Sequence, residues 1–265
     1  MSYARINGTD LFYEVQGEGH PLVMSHGIGS NHLHWWQQVP EFSRRFQVIT
    51  FDHRGFGLSK DANGLGPQAF IDDLEGLLDH LDVKKAFLCG QSMGGITVGG
   101  YAARHPEKVS ALVLSCSGGG FFPVPHSDEF KAAVAKVKNY AEFSTLSIEQ
   151  DGFPQRHPVL RYLFESMAKL NHDFNMSKLP GLRAHKFDPA QIAEAGIPVQ
   201  LIGGEDDNGA KAAMVQIQAA IPGAKLDIIP GAGHLLFFEA ASAYNRIVLN
   251  FLTPLALKQP PAASR

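Results

Sequence analysis

The sequence has few cysteines, little net charge and no long apolar run. Only two cysteines occur among 265 residues, and the formal net charge is −3. Two cysteines cannot build the disulfide framework of a small secreted domain, so Cys89 and Cys116 are expected to be buried and reduced. No stretch gathers like charges into a basic stripe, and nucleic acid is therefore not expected as a partner.

The distribution of apolar residues excludes a membrane-spanning protein. No apolar run approaches the roughly 20 residues that cross a bilayer, and nothing near Met1 resembles a secretory signal. We therefore expect a cytoplasmic protein with no membrane partner. A hydrophobic content of 45% over 265 residues is enough for one large core that carries an insertion.

Short apolar runs alternate with helical patterns along most of the chain. Strands are predicted over residues 11–15, 21–25, 47–51, 86–89, 111–115, 199–202 and 226–229. Helices are predicted over residues 69–81, 96–104, 210–220 and 241–252. This alternation predicts the α/β class, with a mostly parallel central sheet flanked by helices and right-handed crossovers.

The alternation stops between residues 121 and 185, where helical patterns over 128–140 and 159–170 are separated by prolines. The predicted organisation is therefore a core formed by residues 1–120 and 186–257, with residues 121–185 as a helical insertion. The tail over residues 258–265 is polar and rich in proline, which predicts disorder.

A serine lies in a glycine-rich turn between a predicted strand and a predicted helix. The turn reads Gly-Gln-Ser-Met-Gly-Gly over residues 90–95. Gly90 and Gly94 allow neighbouring chains to approach without a Cβ clash, and the Ser92 oxygen would project beside a helix N-terminus. Ser92 is thus a candidate nucleophile that needs a base. The alternative is a glycine turn with an idle serine.

His234 is the best-placed base among the 12 histidines, because it follows the last predicted strand at the edge of the sheet where sites gather. Glu205, Asp206 and Asp207 follow the preceding strand. Serine, acid and histidine then occur in one of the chain orders known for serine triads. Consecutive acids do not match the spacing of a calcium loop, and no metal is expected.

Four motifs occur together in an order that resembles the α/β-hydrolase superfamily over nearly the whole chain. They read HGIG at residues 26–29, DHRGFGLS at 52–59, GQSMGG at 90–95 and GH at 233–234. The resemblance implies the α/β-hydrolase fold, with the insertion as a helical cap over the pocket. It also implies that the motif at 52–59 is a shaped turn and that His26 is structural.

The resemblance further implies roles for individual residues. The catalytic residues would be Ser92, Asp207 and His234, with the acid assigned through a Gly-x-x-Asp turn and Asp206 as the alternative. The backbone N–H groups of Ile28 and Met93 would form the oxyanion hole.

The pattern is similar to small bacterial esterases and enol-lactonases. It implies hydrolysis of a small ester or lactone by water through an acyl-enzyme, with no cofactor. A serine at residue 92 excludes the aspartate chemistry of epoxide hydrolases and haloalkane dehalogenases. Three alternatives stay open: a carbon–carbon hydrolase acting on ring-cleavage diketones, cofactor-free perhydrolase activity, and a slow-turnover ligand receptor. The oligomeric state, monomer or homodimer, also stays open.

Apolar side chains of the insertion, and of the segment after the HGIG motif, are candidates for the pocket wall. For each of them the alternative is a purely structural role in holding the insertion on the core. They are Trp35, Trp36, Phe121, Phe122, Phe153, Phe164, Met167 and Phe174.

Overall fold

A computed structural model describes residues 2–137, 152–171 and 186–258, together with isolated positions 146, 149, 177, 178 and 181. Its centre is one eight-stranded sheet of order β1-β2-β4-β3-β5-β6-β7-β8. The strands are Ser2–Ile6 (β1), Thr9–Gln16 (β2), His20–Ser25 (β3), Phe46–Phe51 (β4), Ala86–Gln91 (β5), Val109–Ser115 (β6), Val199–Gly204 (β7) and Lys225–Ile229 (β8).

From β4 to β8 neighbouring strands pair in parallel, while β2 pairs antiparallel with both β1 and β4. Every strand predicted from the sequence lies within an observed strand, and the predicted fold class is confirmed. Strands β5, β6 and β7 are buried along their whole length. Their nearly continuous apolar sequences agree with a sheet that is covered on both faces.

The first strand, β1, was not predicted. It pairs with β2 through a turn in which Asn7 and Gly8 have φ values of 45° and 78°. An Asn-Gly pair is a strong hairpin signal, because both positions of this turn require positive φ. That signal was present, but three of the five residues of β1 are exposed, so the strand shows no apolar run.

The helices of the described residues lie on both sides of the sheet and in the insertion. They are Val39–Phe42 (α1), Phe70–His80 (α2), Met93–Arg104 (α3), Asp128–Val134 (α4), Phe153–Arg156 (α5), Pro158–Ala168 (α6), Ala190–Glu194 (α7), Asn208–Ala220 (α8), Leu236–Glu239 (α9) and Ala241–Ala256 (α10). None of these helices combines the length and the apolar character that a bilayer crossing requires.

Two helix boundaries differ informatively from the prediction. Helix α3 begins at Met93, although the sequence predicted its start at residue 96. Its first turn contains Gly94 and Gly95, which have low helix propensity, so close packing rather than propensity sets this boundary. Helix α6 begins at Pro158, a position where the missing N–H group would have no helical partner.

Part of the predicted insertion falls on residues that the structure does not describe. The predicted helix over 128–140 is observed as Asp128–Val134, and its end lies outside the described residues. Phe174 and residues 259–265 of the predicted tail also lie outside them. The division into residues 1–120, 121–185, 186–257 and 258–265 stays a prediction.

The motif at residues 52–59 forms an anchored turn, as expected for a structural role. The Asp52 carboxylate is fully buried and accepts hydrogen bonds from the amides of His32 at 2.7 Å and Leu58 at 2.8 Å. The Arg54 guanidinium is likewise buried and is paired with Asp73 at 2.5 Å. These internal partners account for the charged residues of the motif without a catalytic role.

Candidate active site

Ser92 joins β5 to α3 in a strained backbone conformation. Its φ of 51° and ψ of −113° lie in a region that residues other than glycine rarely adopt. The Ser92 amide donates to the Ser115 carbonyl at 2.9 Å, and the Ser92 carbonyl accepts from Gly95 N at 3.0 Å and Ser117 Oγ at 2.7 Å. Two backbone groups and the Ser117 hydroxyl therefore fix the turn on both sides of the serine.

Glycines are required in this turn because other segments of the same polypeptide approach it closely. A Cβ atom on Gly94 would lie 2.1 Å from the carbonyl oxygen of Ser25, and one on Gly90 would lie 2.5 Å from the carbonyl oxygen of Gly94. Atoms cannot approach so closely without moving the backbone. The reason given for these glycines from the sequence is thus confirmed.

Asp207 and His234 form a hydrogen-bonded pair. His234 Nδ1 lies 2.6 Å from Asp207 Oδ2, and Asp207 Oδ1 accepts from the Ala210 amide at 3.1 Å, which caps helix α8. Because both carboxylate oxygens are engaged, the aspartate has one orientation. The carboxylate in turn orients the imidazole, as a general base requires.

The surroundings of Asp207 favour its ionised form. Burial acts to raise the pKa of this carboxyl group, but several interactions outweigh that effect and hold the pKa below its usual 3.8. In order of size they are the charge of His234, the hydrogen bond from His234, the Ala210 amide and the Cys116 thiol. Asp207 is therefore negatively charged at neutral pH.

The three consecutive acids have three different partners. Glu205 Oε2 accepts from the Gly231 amide at 2.9 Å, and Asp206 Oδ2 lies 3.4 Å from a guanidinium nitrogen of Arg156. Of the two aspartates considered as the catalytic acid, Asp207 is the one that contacts the imidazole.

The segments that carry Ser92, Asp207 and His234 contact one another at the carboxyl edge of the sheet. Gln91 Nε2, next to Ser92, donates to the His234 carbonyl at 3.2 Å. A Cβ atom on Gly204 would lie 2.3 Å from the Gly233 carbonyl oxygen, so the acid turn packs directly on the histidine loop. The structure thus joins the side chains of Asp207 and His234 and places the segment that carries Ser92 in contact with the histidine loop.

The two amides predicted for an oxyanion hole lie on the loop after β3 and at the first residue of α3. Within the described part of the chain, neither Ile28 N nor Met93 N donates a hydrogen bond to the protein. Unpaired amides at these places agree with a site that binds a developing negative charge. The loop rests on Gln91, whose Oε1 would lie 1.9 Å from a Cβ atom on Gly27.

The neutral side chain of His26 is hydrogen-bonded to the loop that follows β3. His26 Nδ1 donates to the Gly27 carbonyl at 2.8 Å, and His26 Nε2 accepts from the His53 amide at 3.1 Å. Burial lowers the pKa of His26 to about 4, so the ring is neutral and its tautomer is set by these two partners. These contacts agree with the structural role expected for His26.

The insertion is bonded to the same loop through Asn171. The Asn171 side chain accepts from the Gly57 amide at 2.8 Å and donates to the carbonyls of Gly29 at 3.2 Å and Ser30 at 3.1 Å. Asn31 on that loop donates in return to the Met167 carbonyl at 2.9 Å. Buried amide groups with this many partners fix the position of the loop beneath the insertion.

The aromatic residues predicted for the pocket mostly lie in the protein interior. Phe153 and Phe164 pack on Phe238 at ring distances of 6.3 and 5.6 Å, and Trp35 packs on Phe237 at 4.7 Å. These contacts support the alternative in which aromatic residues hold the insertion on the core.

The other predicted pocket residues are more varied, and all pocket roles stay predictions. Phe121 is buried, Phe122 and Met167 are half-buried, Trp36 is 43% exposed, and Phe174 lies outside the described residues.

Cys116, Asp207 and His234 each offer one possible metal ligand, and these atoms lie within 4.8 Å of one another. Since Asp207 and His234 already share a hydrogen bond of 2.6 Å, a metal ion would have to separate them. We therefore interpret the cluster as an Asp–His pair supported by a buried thiol.

Two charged residues that were not singled out from the sequence also join the site. Glu239 accepts a hydrogen bond from the Gly233 amide at 2.6 Å and pairs with Arg156 at 3.0 Å. Arg156 and Glu239 are separated by 83 residues, and no periodic pattern or motif considered in the sequence connects them.

Comparison with known proteins decides the family. A family model described as the alpha/beta hydrolase fold matches residues 20–146. A 2-hydroxymuconate semialdehyde hydrolase from Pseudomonas sp. (strain CF600) is 30% identical over 257 residues, which cover 89% of this chain and 88% of that protein. This chain belongs to the α/β-hydrolase family.

Solved structures with the same fold cover nearly all of this α/β hydrolase. The enol-lactonase from Burkholderia xenovorans LB400 is 25% identical, with a TM-score of 0.79 and coverage of 95% of this chain and 100% of that chain. Est816, an N-acyl homoserine lactone degrading enzyme, is 25% identical, with a TM-score of 0.78 and coverage of 94% and 100%. The predicted family and fold are thereby confirmed, while these relatives differ in the substrates their names give.

Proposed function

We propose that this α/β hydrolase cleaves a small carboxylic ester or lactone through an acyl-enzyme on Ser92. The observation that carries the proposal is the 2.6 Å hydrogen bond between Asp207 and His234, held beside a strained serine turn. A serine hydroxyl becomes an effective nucleophile when an oriented imidazole can take its proton.

In the first half of the proposed reaction, His234 takes the Ser92 proton as the serine oxygen attacks the substrate carbonyl carbon. The tetrahedral oxyanion accepts hydrogen bonds from the amides of Ile28 and Met93. His234 then gives its proton to the leaving oxygen, the carbon–oxygen bond breaks, and an acyl group remains on Ser92. For a lactone, the leaving alcohol stays on the same acyl group.

In the second half, His234 takes a proton from water as the water oxygen attacks the acyl carbon. Collapse of this intermediate releases the carboxylic acid and returns the proton to Ser92. Asp207 stays ionised throughout and stabilises the imidazolium that forms in both halves, in agreement with its lowered pKa. The proposed reaction uses a small-molecule substrate, water and no cofactor.

Two of the similar solved structures favour a cyclic ester among the possible substrates, because their titles name an enol-lactonase and a lactone-degrading enzyme. A second candidate is cleavage of a carbon–carbon bond in a ring-cleavage diketone. It is favoured by the 30% identity to the 2-hydroxymuconate semialdehyde hydrolase.

The test is hydrolysis of a panel containing short-chain p-nitrophenyl esters, an N-acyl homoserine lactone and a vinylogous ring-cleavage diketone. We expect ester or lactone turnover that falls by about 10³-fold or more in Ser92→Ala. Ser166→Ala, a matched change at a serine whose hydroxyl bonds the Tyr162 carbonyl, should retain activity.

Each other outcome has a defined meaning. Ester or lactone hydrolysis retained by Ser92→Ala would contradict the proposal. Turnover of the diketone alone would establish the second candidate in its place. Binding with a single slow acylation and no turnover would indicate a receptor of the same fold.

A further inference from the structure

One guanidinium group from the insertion lies between the two loops that hold the Asp207–His234 pair. Arg156 Nη1 is 3.4 Å from Asp206 Oδ2, and Arg156 Nη2 is 3.0 Å from Glu239 Oε2. Asp206 is the chain neighbour of Asp207. Arg156 therefore bridges the acid turn and the helix that follows the histidine loop.

Glu239 connects Arg156 to the backbone next to His234. Its side chain is only 1% exposed, and its second oxygen accepts from the Gly233 amide at 2.6 Å. Gly233 directly precedes His234, so the carboxylate fixes the backbone from which the imidazole projects. A buried carboxylate is costly unless it is paired, and here Arg156 and His157 Nε2, at 3.2 Å, supply the partners.

The two ends of the bridge differ in strength. The Asp206 side chain is 45% exposed, and an exposed ion pair contributes little because water screens it. The Glu239 end is buried, so loss of the Arg156 charge leaves a buried carboxylate with only the Gly233 amide and His157 as partners. The effect of Arg156 on the site should therefore act mainly through Glu239.

We propose that Arg156 and Glu239 are positioning residues for the Asp207–His234 pair. The insertion then has a second function besides covering the site: its helix α5 supplies the charge that holds the histidine loop in place. This inference rests on the proposed function of His234 as the general base.

The charges around His234 give the inference a pH signature. Asp207, which caps α8, and the Cys116 thiol after β6 lie next to the imidazole. Glu239, with its partners Arg156 and His157, contacts the amide of the preceding residue, Gly233. Removing the positive charge of Arg156 should favour imidazolium, and removing the negative charge of Glu239 should disfavour it. The acidic limb of the kcat/KM profile should thus move to higher pH in Arg156→Gln and to lower pH in Glu239→Gln.

The kinetic test compares Arg156→Gln with Arg161→Gln. Arg161 is a matched control, because it lies on the same insertion, is 37% exposed against 31% for Arg156, and pairs within the insertion with Glu165. We expect kcat of Arg156→Gln to fall about tenfold with little change in KM, since small displacements of a catalytic group cost up to about 10²-fold. Arg156→Lys should recover part of this loss, and Arg161→Gln should match the wild type.

A purely structural role predicts a different pattern. In that case Arg156→Gln and Glu239→Gln would lower the melting temperature, while kcat per folded molecule and the acidic limb stayed at wild-type values. That result would overturn the inference. Failure of the proposed function is recognised separately, because activity would then persist in Ser92→Ala. If activity depends on Ser92 but Arg156→Gln and Arg161→Gln have the same kcat, only this inference is overturned.

Discussion

The turn that carries Ser92 is built mainly from backbone contacts, whereas the Asp207–His234 pair is held mainly by side chains. In the serine turn, Gly94 packs against the backbone of β3 and Ser92 takes a φ of 51°. In the acid–histidine half, Arg156 and Glu239 connect the loops through charged groups. Backbone packing tolerates almost no added atom, while a charged network can lose a member and still fold.

The largest effect on catalysis is expected at Asp207, in the pair that is held mainly by side chains. Asp207→Asn should reduce kcat by about 10³ to 10⁴-fold, because an amide no longer holds the correct imidazole tautomer or stabilises imidazolium. Steady-state kinetics on the best Ser92-dependent substrate measures this. Asp206→Asn, which changes the neighbouring carboxylate, should cost less than about tenfold, since it contacts Arg156 through an exposed pair. Equal losses of kcat in the two variants would contradict the assignment of Asp207 as the catalytic acid.

A change in the Ser92 turn, which is built mainly from backbone contacts, should lower the stability of the protein and not only its catalytic rate. Gly94→Ala should lower the free energy of unfolding by about 3 kcal/mol, the upper range for overpacking, although the same change in an open helix would stabilise by about 0.5–1 kcal/mol. Urea unfolding measures the difference. As a control, Gly196 has a φ of 64° with no atom within 4 Å of an added Cβ. Gly196→Ala should cost only the backbone strain of about 1–2 kcal/mol, and a Gly94 variant as stable as the wild type would contradict the packing account.

The stability of the loop that follows β3 should depend on pH, because His34 on that loop is buried and neutral. Burial holds the pKa of His34 at about 3, below the value of 6.5 for an exposed ring. A folded pKa below the unfolded one means that protonation favours unfolding, so the stability contributed by a neutral His34 is complete above pH 6.5 and is lost as the pH falls towards 3.

Between pH 7 and pH 5 this histidine should account for a loss of about 2 kcal/mol in the free energy of unfolding, at about 1.4 kcal/mol for each pH unit below 6.5. His34→Gln should remove that part of the slope in urea unfolding at the two pH values. His80→Gln, at the exposed end of α2, is the control for the loss of a histidine as such. An unchanged slope in His34→Gln would contradict a neutral buried ring.

The smallest effect is expected where the two halves meet. Gln91→Met removes the hydrogen bond of 3.2 Å to the His234 carbonyl and keeps a similar volume. One such bond contributes about 1 kcal/mol, so we expect a loss of a few-fold in kcat/KM and a similar small change in stability. A loss of about 100-fold in kcat/KM would show that the Ser92 turn and the Asp207–His234 pair depend strongly on each other, which would contradict the comparison.

This difference in construction also explains what could be predicted from the sequence. A turn that is held by backbone contacts requires glycines at fixed positions. The segment 90–95 could therefore be recognised from its sequence and from the strand that precedes it. His234 and the acids at 205–207 were found through their positions after predicted strands, which the topology brings to one edge, and Asp207 was chosen among the acids through the family resemblance. Arg156 and Glu239 could not be found in this way, because a charge pair that spans 83 residues leaves no local pattern.

The fold shows the same limit. Buried strands such as β5 and β6 are mostly apolar and were predicted within two residues of their ends. The exposed strand β1 was missed, and the start of α3 was placed three residues late because packing overrode the low helix propensity of Gly94 and Gly95. Contacts with other parts of the chain, rather than local preference, decide such cases.

The most direct test of Ser92 as an activated nucleophile is labelling with a fluorophosphonate, followed by mass spectrometry of the digested protein. We predict one adduct per chain, on the peptide that contains Ser92, with much slower labelling in Asp207→Asn and none in Ser92→Ala. Absence of an adduct in the wild type, or the same adduct in Ser92→Ala, would contradict the assignment of Ser92, Asp207 and His234 to one catalytic unit.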